Sequence, residues 1–340
     1  MTFTYSGFVN GNTAVSTLPT ISTTATVSSN VGTYPITLSG GSDPNYNITL
    51  ENGTLTVGKA DLTITADNKS KTYGSANPTL TFTYTGLVNG NTAVSTLPTI
   101  STTATASSNV GTYPITLSGG SDPNYNISLV NGTLTVDRAP LTITADNKSK
   151  TYGSANPTLT FTYTGLVNGN TAVSILPTIS TTATASSNAG TYPITLSGGS
   201  DPNYNITLVN GTLTVERALL TITANSQTKV YGASDPTLTY SITSGSLLGS
   251  DVLSGSLTRA AGENVGTYAI AIGTLGNSNY TITLVSADFS ITPKTLVITP
   301  NEGQSKLQAA ADPILTYQAS GWERSDNASL LTGALSRVAG

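Results

Sequence analysis

Cysteine and histidine are both absent from the 340 residues, which excludes disulfides and thiolate metal sites. A chain without stray thiols also fits export through an oxidising compartment. Charge is scarce: 9% of residues are Asp, Glu, Lys or Arg, against roughly 25% in ordinary soluble domains. The net charge of −4 comes without a basic run or patch, so there is no electrostatic footprint for nucleic acid. No apolar run approaches the roughly 20 residues needed to cross a bilayer. The opening MTFTYSG has neither the basic end nor the apolar stretch of a signal peptide.

What fills the chain is Thr, Ser and Asn, arranged in repeats. Ala66–Gly86 and Ala145–Gly165 are identical, ADNKSKTYGSANPTLTFTYTG. GTY recurs at Gly32, Gly111, Gly190 and Gly266, and Tyr-Gly at Tyr73, Tyr152 and Tyr231. DPNYNI recurs at Asp43, Asp122 and Asp201 and fades to GNSNYTI at Gly276. Leu62–Pro140 and Leu141–Leu219 differ only at Thr96/Ile175, Val110/Ala189, Ser128/Thr207, Asp137/Glu216 and Pro140/Leu219. The period is therefore about 79 residues, and five segments follow: 1–57, 62–136, 141–215, 220–291 and 296–340. Met1 aligns with Leu80 and Gly340 with Gly262, so the outer two segments are read as truncated repeats and the chain as a piece of a longer protein.

Within a repeat, LTITA, LTFTYTG, YPITL, YNISL and TLTV alternate apolar and polar residues with period two, the pattern of half-buried strands. Sixteen large side chains fall on core parity in the copy from Leu62: Leu62, Ile64, Tyr73, Leu80, Phe82, Tyr84, Leu97, Ile100, Tyr113, Ile115, Leu117, Tyr125, Ile127, Leu129, Leu134 and Val136. That is enough apolar surface for a small domain of its own. Asn131-Gly132 reads as a two-residue hairpin turn with positive φ at both positions. Ser121–Asn124 reads as a second turn, and LVNGNTAVS from Leu87 as the one stretch able to form a helical turn. Linkers of four residues, such as DRAP before Leu141, leave little freedom between repeats. The fold expected is all-β: a tandem array of β-sandwich, Ig-like or β-grasp-like modules forming an elongated, monomeric rod.

The order T-Y-G-x-x-N-P-x-L, G-T-Y-P-I, N-Y-N-I, N-G-T-L-T-V resembles the MBG domain family of the YGX type. The resemblance implies an extracytoplasmic β-rich module, found in tandem in large bacterial surface or secreted adhesin-like proteins, and no catalytic residues. It implies a structural stalk or spacer of a cell-surface or secreted adhesin. Its partners would be host or environmental glycans or proteins reached through other parts of the full-length protein. The alternative is that the repeats themselves bind such ligands weakly and gain by avidity. Gln308-Ala309 stands where Tyr-Gly is expected, which puts the last tight turn in doubt.

No catalytic, cofactor or metal site is assigned, and each residue pattern that resembles one has a plainer reading. Tyr73-Gly74 reads either as a ligand-facing aromatic or as a core-edge tyrosine beside a positive-φ glycine. Ser70-Lys71 and Ser149-Lys150 are adjacent as in some acyl-transfer sites, yet neighbours on a strand face opposite ways. Asp67, Asp122, Asp137 and Asp146 offer too few oxygens for calcium at the junctions. In the diverged copy Asn225 replaces Asp67, and Ser278 or a neighbour replaces Asp122. A Lys71–Asn126 isopeptide crosslink would need a buried acid that no inward strand position supplies. Asn68, Asn126 and Asn131 match the glycosylation pattern by chance in such a composition. The one Trp, Trp322, leaves little for a glycan platform.

Overall fold

A computed structural model describes residues 1–338; the last two positions of the 296–340 segment lie outside the described residues. The chain divides into two compact units. One comprises Met1–Ile143, Thr162–Thr178 and Ser197–Leu208, and the other Thr144–Phe161, Ile179–Leu196 and Val209–Gly340. The first unit thus carries the first two repeats and part of the third. The second carries the rest of the third, the fourth and the last segment.

In the first unit, residues 1–57 form β1 (Thr20–Thr23), β2 (Gly32–Ser39) and β3 (Gly53–Val57). The second repeat forms seven strands: β4 (Ala60–Ala66), β5 (Lys69–Thr72), β6 (Phe82–Thr85), β7 (Thr96–Thr102), β8 (Gly111–Ser121), β9 (Tyr125–Val130) and β10 (Gly132–Asp137). They make two sheets, β6-β4-β9 and β5-β10-β8-β7. β4 runs parallel to β9, and β5 parallel to β10. Inward residues of both sheets, among them Leu62, Ile64, Ile115, Leu117, Tyr125 and Leu134, form one buried cluster. Of the two topologies the alternation allowed, this is the sandwich: the repeat is two facing sheets, and no α-helix occurs among the described residues.

Period-two parity placed the faces but not the sheets. β9 and β10 are consecutive yet belong to different sheets, so Asn131-Gly132 is not a hairpin turn. Neither residue has positive φ. Asn131 Oδ1 instead accepts from Leu117 N at 3.2 Å. Gly132 is required for a different reason: a Cβ there would sit 2.6 Å from the Ala66 carbonyl oxygen. The Asn-Gly turn with both φ positive is Asn89-Gly90, at 55° and 74°, closed by Asn91 N to Val88 O. It occupies the LVNGNTAVS stretch, which forms this turn and not a helical one. β5 leaves the sheet of β4 within two residues, because the Asn68 side chain crosses over to accept from Thr133 N at 2.8 Å. Leu97, counted into the core, is 59% exposed. The linker is also shorter than four residues: only Arg138 separates β10 from the next strand, Ala139–Ala145.

In the second unit, residues 218–292 repeat the same strand orders around a cluster that includes Leu220, Ile222, Ile270, Phe289 and Ile291. Among the described residues of the last segment, Val297–Pro300 pairs with Tyr317–Ser320. Ala309, where Tyr-Gly is missing, holds φ at 62° and keeps the tight turn, with Ala310 N donating to Leu307 O.

Candidate functional site: the junctions between repeats

At Tyr73 and Tyr152 the Tyr-Gly motif packs on a neighbour's core edge. β5 ends at Thr72, and Tyr73 N donates to Asp137 O, which aims the Tyr73 ring out of its own sandwich. The ring lies edge-on to Tyr204 of the third repeat, centroids 5.5 Å apart. Asn170 Nδ2 donates to the Tyr204 hydroxyl at 3.0 Å and to the Tyr73 hydroxyl at 3.4 Å. Gly74, φ 83°, is pressed so closely on Val167 that a Cβ would come within 2.5 Å of it. Glycine is needed here twice over, for its dihedral and for the approach.

The second unit repeats the contact with altered chemistry. Tyr152 belongs to the buried cluster of the fourth repeat and lies edge-on to Tyr280 at 5.6 Å. Asp251 stands where Asn170 did, and it accepts from both hydroxyls, Tyr152 at 2.9 Å and Tyr280 at 2.8 Å. The carboxylate beside Tyr152 raises that phenol above its ordinary value. Burial, helped by the same carboxylate, raises Tyr280. Tyr231 donates to Asp326 of the last segment at 2.9 Å and is raised likewise. Trp322 is half-buried in the loop that carries Asp326.

A second contact flanks the first. Asp122 Oδ1 accepts from Asn124 N at 2.8 Å, an Asx turn that presents the Asn124 amide. That amide reaches the first repeat, accepting from Val31 N at 2.9 Å and donating to Asn30 Oδ1 at 3.2 Å. Asn203 does the same to Val110 N and Asn109, and the buried Asn279 to Ala189 N and Asn188. The Ser95 hydroxyl and the Asn124 N–H hold the Asp122 carboxyl below the ordinary carboxylate value. In the fourth repeat Asn277, not Ser278, takes the place of Asp122, since it accepts from Asn279 N. Reading DPNY only as a turn missed this clasp. The signal was present: Asn279 survives in GNSNY although Asp and Pro are gone.

The remaining candidates do not come together. Ser70 is exposed and Lys71 buried on opposite faces of β5. Lys71 Nζ donates to the carbonyls of Ser75 and Thr105, and Lys150 to those of Ser154 and Thr184. Asn126, in the other sheet, donates to Asp61, so Lys71 and Asn126 do not meet. Asp67 is engaged by Thr81 and Lys69, and Asp146 by Thr160 and Lys148. Among the described residues no three acidic, His or Cys side chains gather as a metal would require.

These junctions are built by the motifs of one family. A model of the MBG domain (YGX type) matches residues 1–56, 62–135, 141–214 and 220–290. The chain belongs to that family, as a tandem array consistent with the repeat region of a surface protein. It is not a known enzyme family, and its repeats suggest an extracellular surface protein. Comparison with curated proteins gives no match. No helix among the described residues is long and apolar enough to cross a membrane.

Proposed function

We propose that this chain is a non-enzymatic stalk region of a bacterial cell-surface or secreted adhesin, whose repeats hold a binding region at a distance. The observation that carries the reading is the double contact at successive junctions, Tyr-Gly on one side and the Asn amide on the other. Between the second and third repeats and between the third and fourth, a single residue between strands, together with two fixed points, limits bending, so reach would follow copy number. The tyrosines support a spacer over a glycan binder, because Tyr73 and Tyr152 spend their rings on the next repeat and Tyr231 spends its hydroxyl on the last segment. Small-angle scattering of the chain and of an Asn124→Ala/Asn203→Ala/Asn279→Ala variant tests it. The chain should scatter as a stiff, extended particle, and the variant as a more flexible one. A compact globe, or identical curves, would refute the stalk.

A further inference from the structure

The turn that meets the Tyr-Gly motif carries a reactive dipeptide in the third repeat and an inert one in the fourth. In the third repeat it reads Val167-Asn168-Gly169-Asn170, with φ 56° at Asn168 and 75° at Gly169, closed by Asn170 N to Val167 O. Its two ends are the junction itself. Val167 lies under Gly74, and Val167 N donates to the Tyr204 hydroxyl that Asn170 also engages. The two residues between them are exposed. The Asn168 amide has no hydrogen-bond partner among the described residues, and a Cβ on Gly169 would meet nothing within 4 Å. The same dipeptide at Asn210-Gly211 is held fast. Asn210 Oδ1 accepts from Leu196 N at 3.1 Å, and the buried Gly211 sits in a ladder opposite Ile194. Asn131-Gly132 is held alike. In the fourth repeat the junction turn is Leu248-Gly249-Ser250-Asp251. Gly249 keeps the dihedral, at 55°, and Leu248 N still donates to a tyrosine hydroxyl, but Asn-Gly is gone.

We propose that Asn168-Gly169 is a site of spontaneous self-modification that loosens the contact between the second and third repeats, and that the contact between the third and fourth is exempt. The Gly169 nitrogen attacks the Asn168 side-chain carbonyl carbon. A C–N bond forms there, the bond to the side-chain nitrogen breaks, and that nitrogen leaves as ammonia with the Gly169 proton. Water then opens the resulting succinimide at one of its two carbonyls. One opening gives aspartate; the other gives isoaspartate, whose main chain runs through the side chain and is one methylene longer. Neither route needs an oxidant or a co-reactant beyond water. Glycine favours the attack because no Cβ shields its nitrogen. The attack also requires the turn to leave its left-handed conformation. That opening breaks one turn hydrogen bond at Asn168 but a stretch of ladder at Asn210, and exposed turns open at the low end of the free-energy range. Either product places a new carboxylate between Val167 and Asn170. Isoaspartate also spreads those two residues, so Gly74 and the Tyr73 hydroxyl lose their fixed partners.

The test ages the whole chain in mildly alkaline buffer below its unfolding temperature. Peptide mapping by mass spectrometry reads the gain of one mass unit, and the isoaspartate isomer, at each Asn-Gly. Thr96 and Ile175 distinguish the Asn89 and Asn168 peptides, and Ser128 and Thr207 those of Asn131 and Asn210. Asn168 should convert roughly tenfold faster, or more, than Asn131 and Asn210. Hydrogen exchange of the aged chain should rise at Tyr73-Gly74 and Val167 and stay level at Tyr152-Gly153 and Leu248. Asn168→Gly, which copies Gly249, should keep the protection of the fresh chain and abolish the change on ageing. Conversion at Asn168 no faster than at Asn210 would overturn the proposal. So would ageing that leaves Tyr73-Gly74 protected, or that loosens the Asn168→Gly chain equally.

Discussion

The second and fourth repeats have the same strand order and nearly interchangeable cores, yet they treat one buried cation differently. Lys71, 8% exposed, meets only backbone carbonyls. Lys229, 7% exposed, meets the carboxylates of Asp235 and Glu263, each at 2.6 Å. Arg259 joins them, paired with both acids and stacked 4.8 Å from the Phe289 ring centre. Asp235 takes the place of Asn77, which donates its amide to Ala104 O. The position demands a long aliphatic stem capped by a donor; the acceptors are free to change. The repeats therefore share their apolar energetics and part company in electrostatics.

Core truncation should fail to tell them apart, and it is the largest effect. Ile64 and Ile222 are both fully buried. Changing either to Ala should cost about 2–5 kcal/mol of its own repeat. Ile298, the counterpart in the last segment, is 45% exposed, and Ile298→Ala should cost less than about 0.5 kcal/mol. Hydrogen exchange resolved by repeat measures all three, and unequal losses for the first two would break the claim of a shared core.

Alkaline pH should separate the two repeats by direction. Burial pushes the Lys71 ammonium below the ordinary lysine value. Asp235 and Glu263 raise Lys229 above it. Between a depressed folded value and the ordinary unfolded one near 10.4, the unfolded chain holds more protons, so stability rises with pH. For Lys229 the contribution is complete below the unfolded value and is lost as pH climbs through the raised one. Exchange protection in β10 should therefore hold or grow from about pH 9 to 11, after correction for intrinsic rates, while protection in Asp288–Thr292 falls. In acid the fourth repeat has a reserve of its own. The Arg259 and Lys229 partners hold the Asp235 carboxyl at about 2, so that contribution persists below the ordinary carboxylate range and fades only as pH falls toward that value. A common pH trend in both repeats would overturn the distinction.

Much of this architecture was legible in the sequence, and the gaps have physical causes. Alternation in LTITA and TLTV placed Leu62, Ile64, Leu134 and Val136 inward, because parity decides which face of a strand is wet. Parity is silent about which sheet a strand joins, and so Asn131-Gly132 looked like a hairpin while its flanking strands went to opposite sheets. The junction was harder still. Asn203 bonds Val110 across 93 residues, and near-identical copies conceal which residues matter for contact. Only the diverged fourth copy, which keeps Tyr231-Gly232 and Asn279, carried that information.

The smallest expected effect sharpens the comparison at the junctions themselves. Tyr73 receives one long hydrogen bond from an amide, whereas Tyr152 donates to a carboxylate, and bonds to charged partners are the stronger class. Tyr152→Phe should therefore raise exchange at Leu248 and its neighbours more than Tyr73→Phe does at Val167. Asp251→Asn converts the second kind of junction into the first. It removes the charge that raises the Tyr152 phenol, so the extra cost of Tyr152→Phe should vanish in that background. The phenol's titration, followed by ultraviolet absorbance, should move back toward the ordinary tyrosine range. If Tyr152→Phe costs the same in the Asp251→Asn background as it does beside the native carboxylate, charge is not what distinguishes the two junctions, and the difference must lie in ring packing alone.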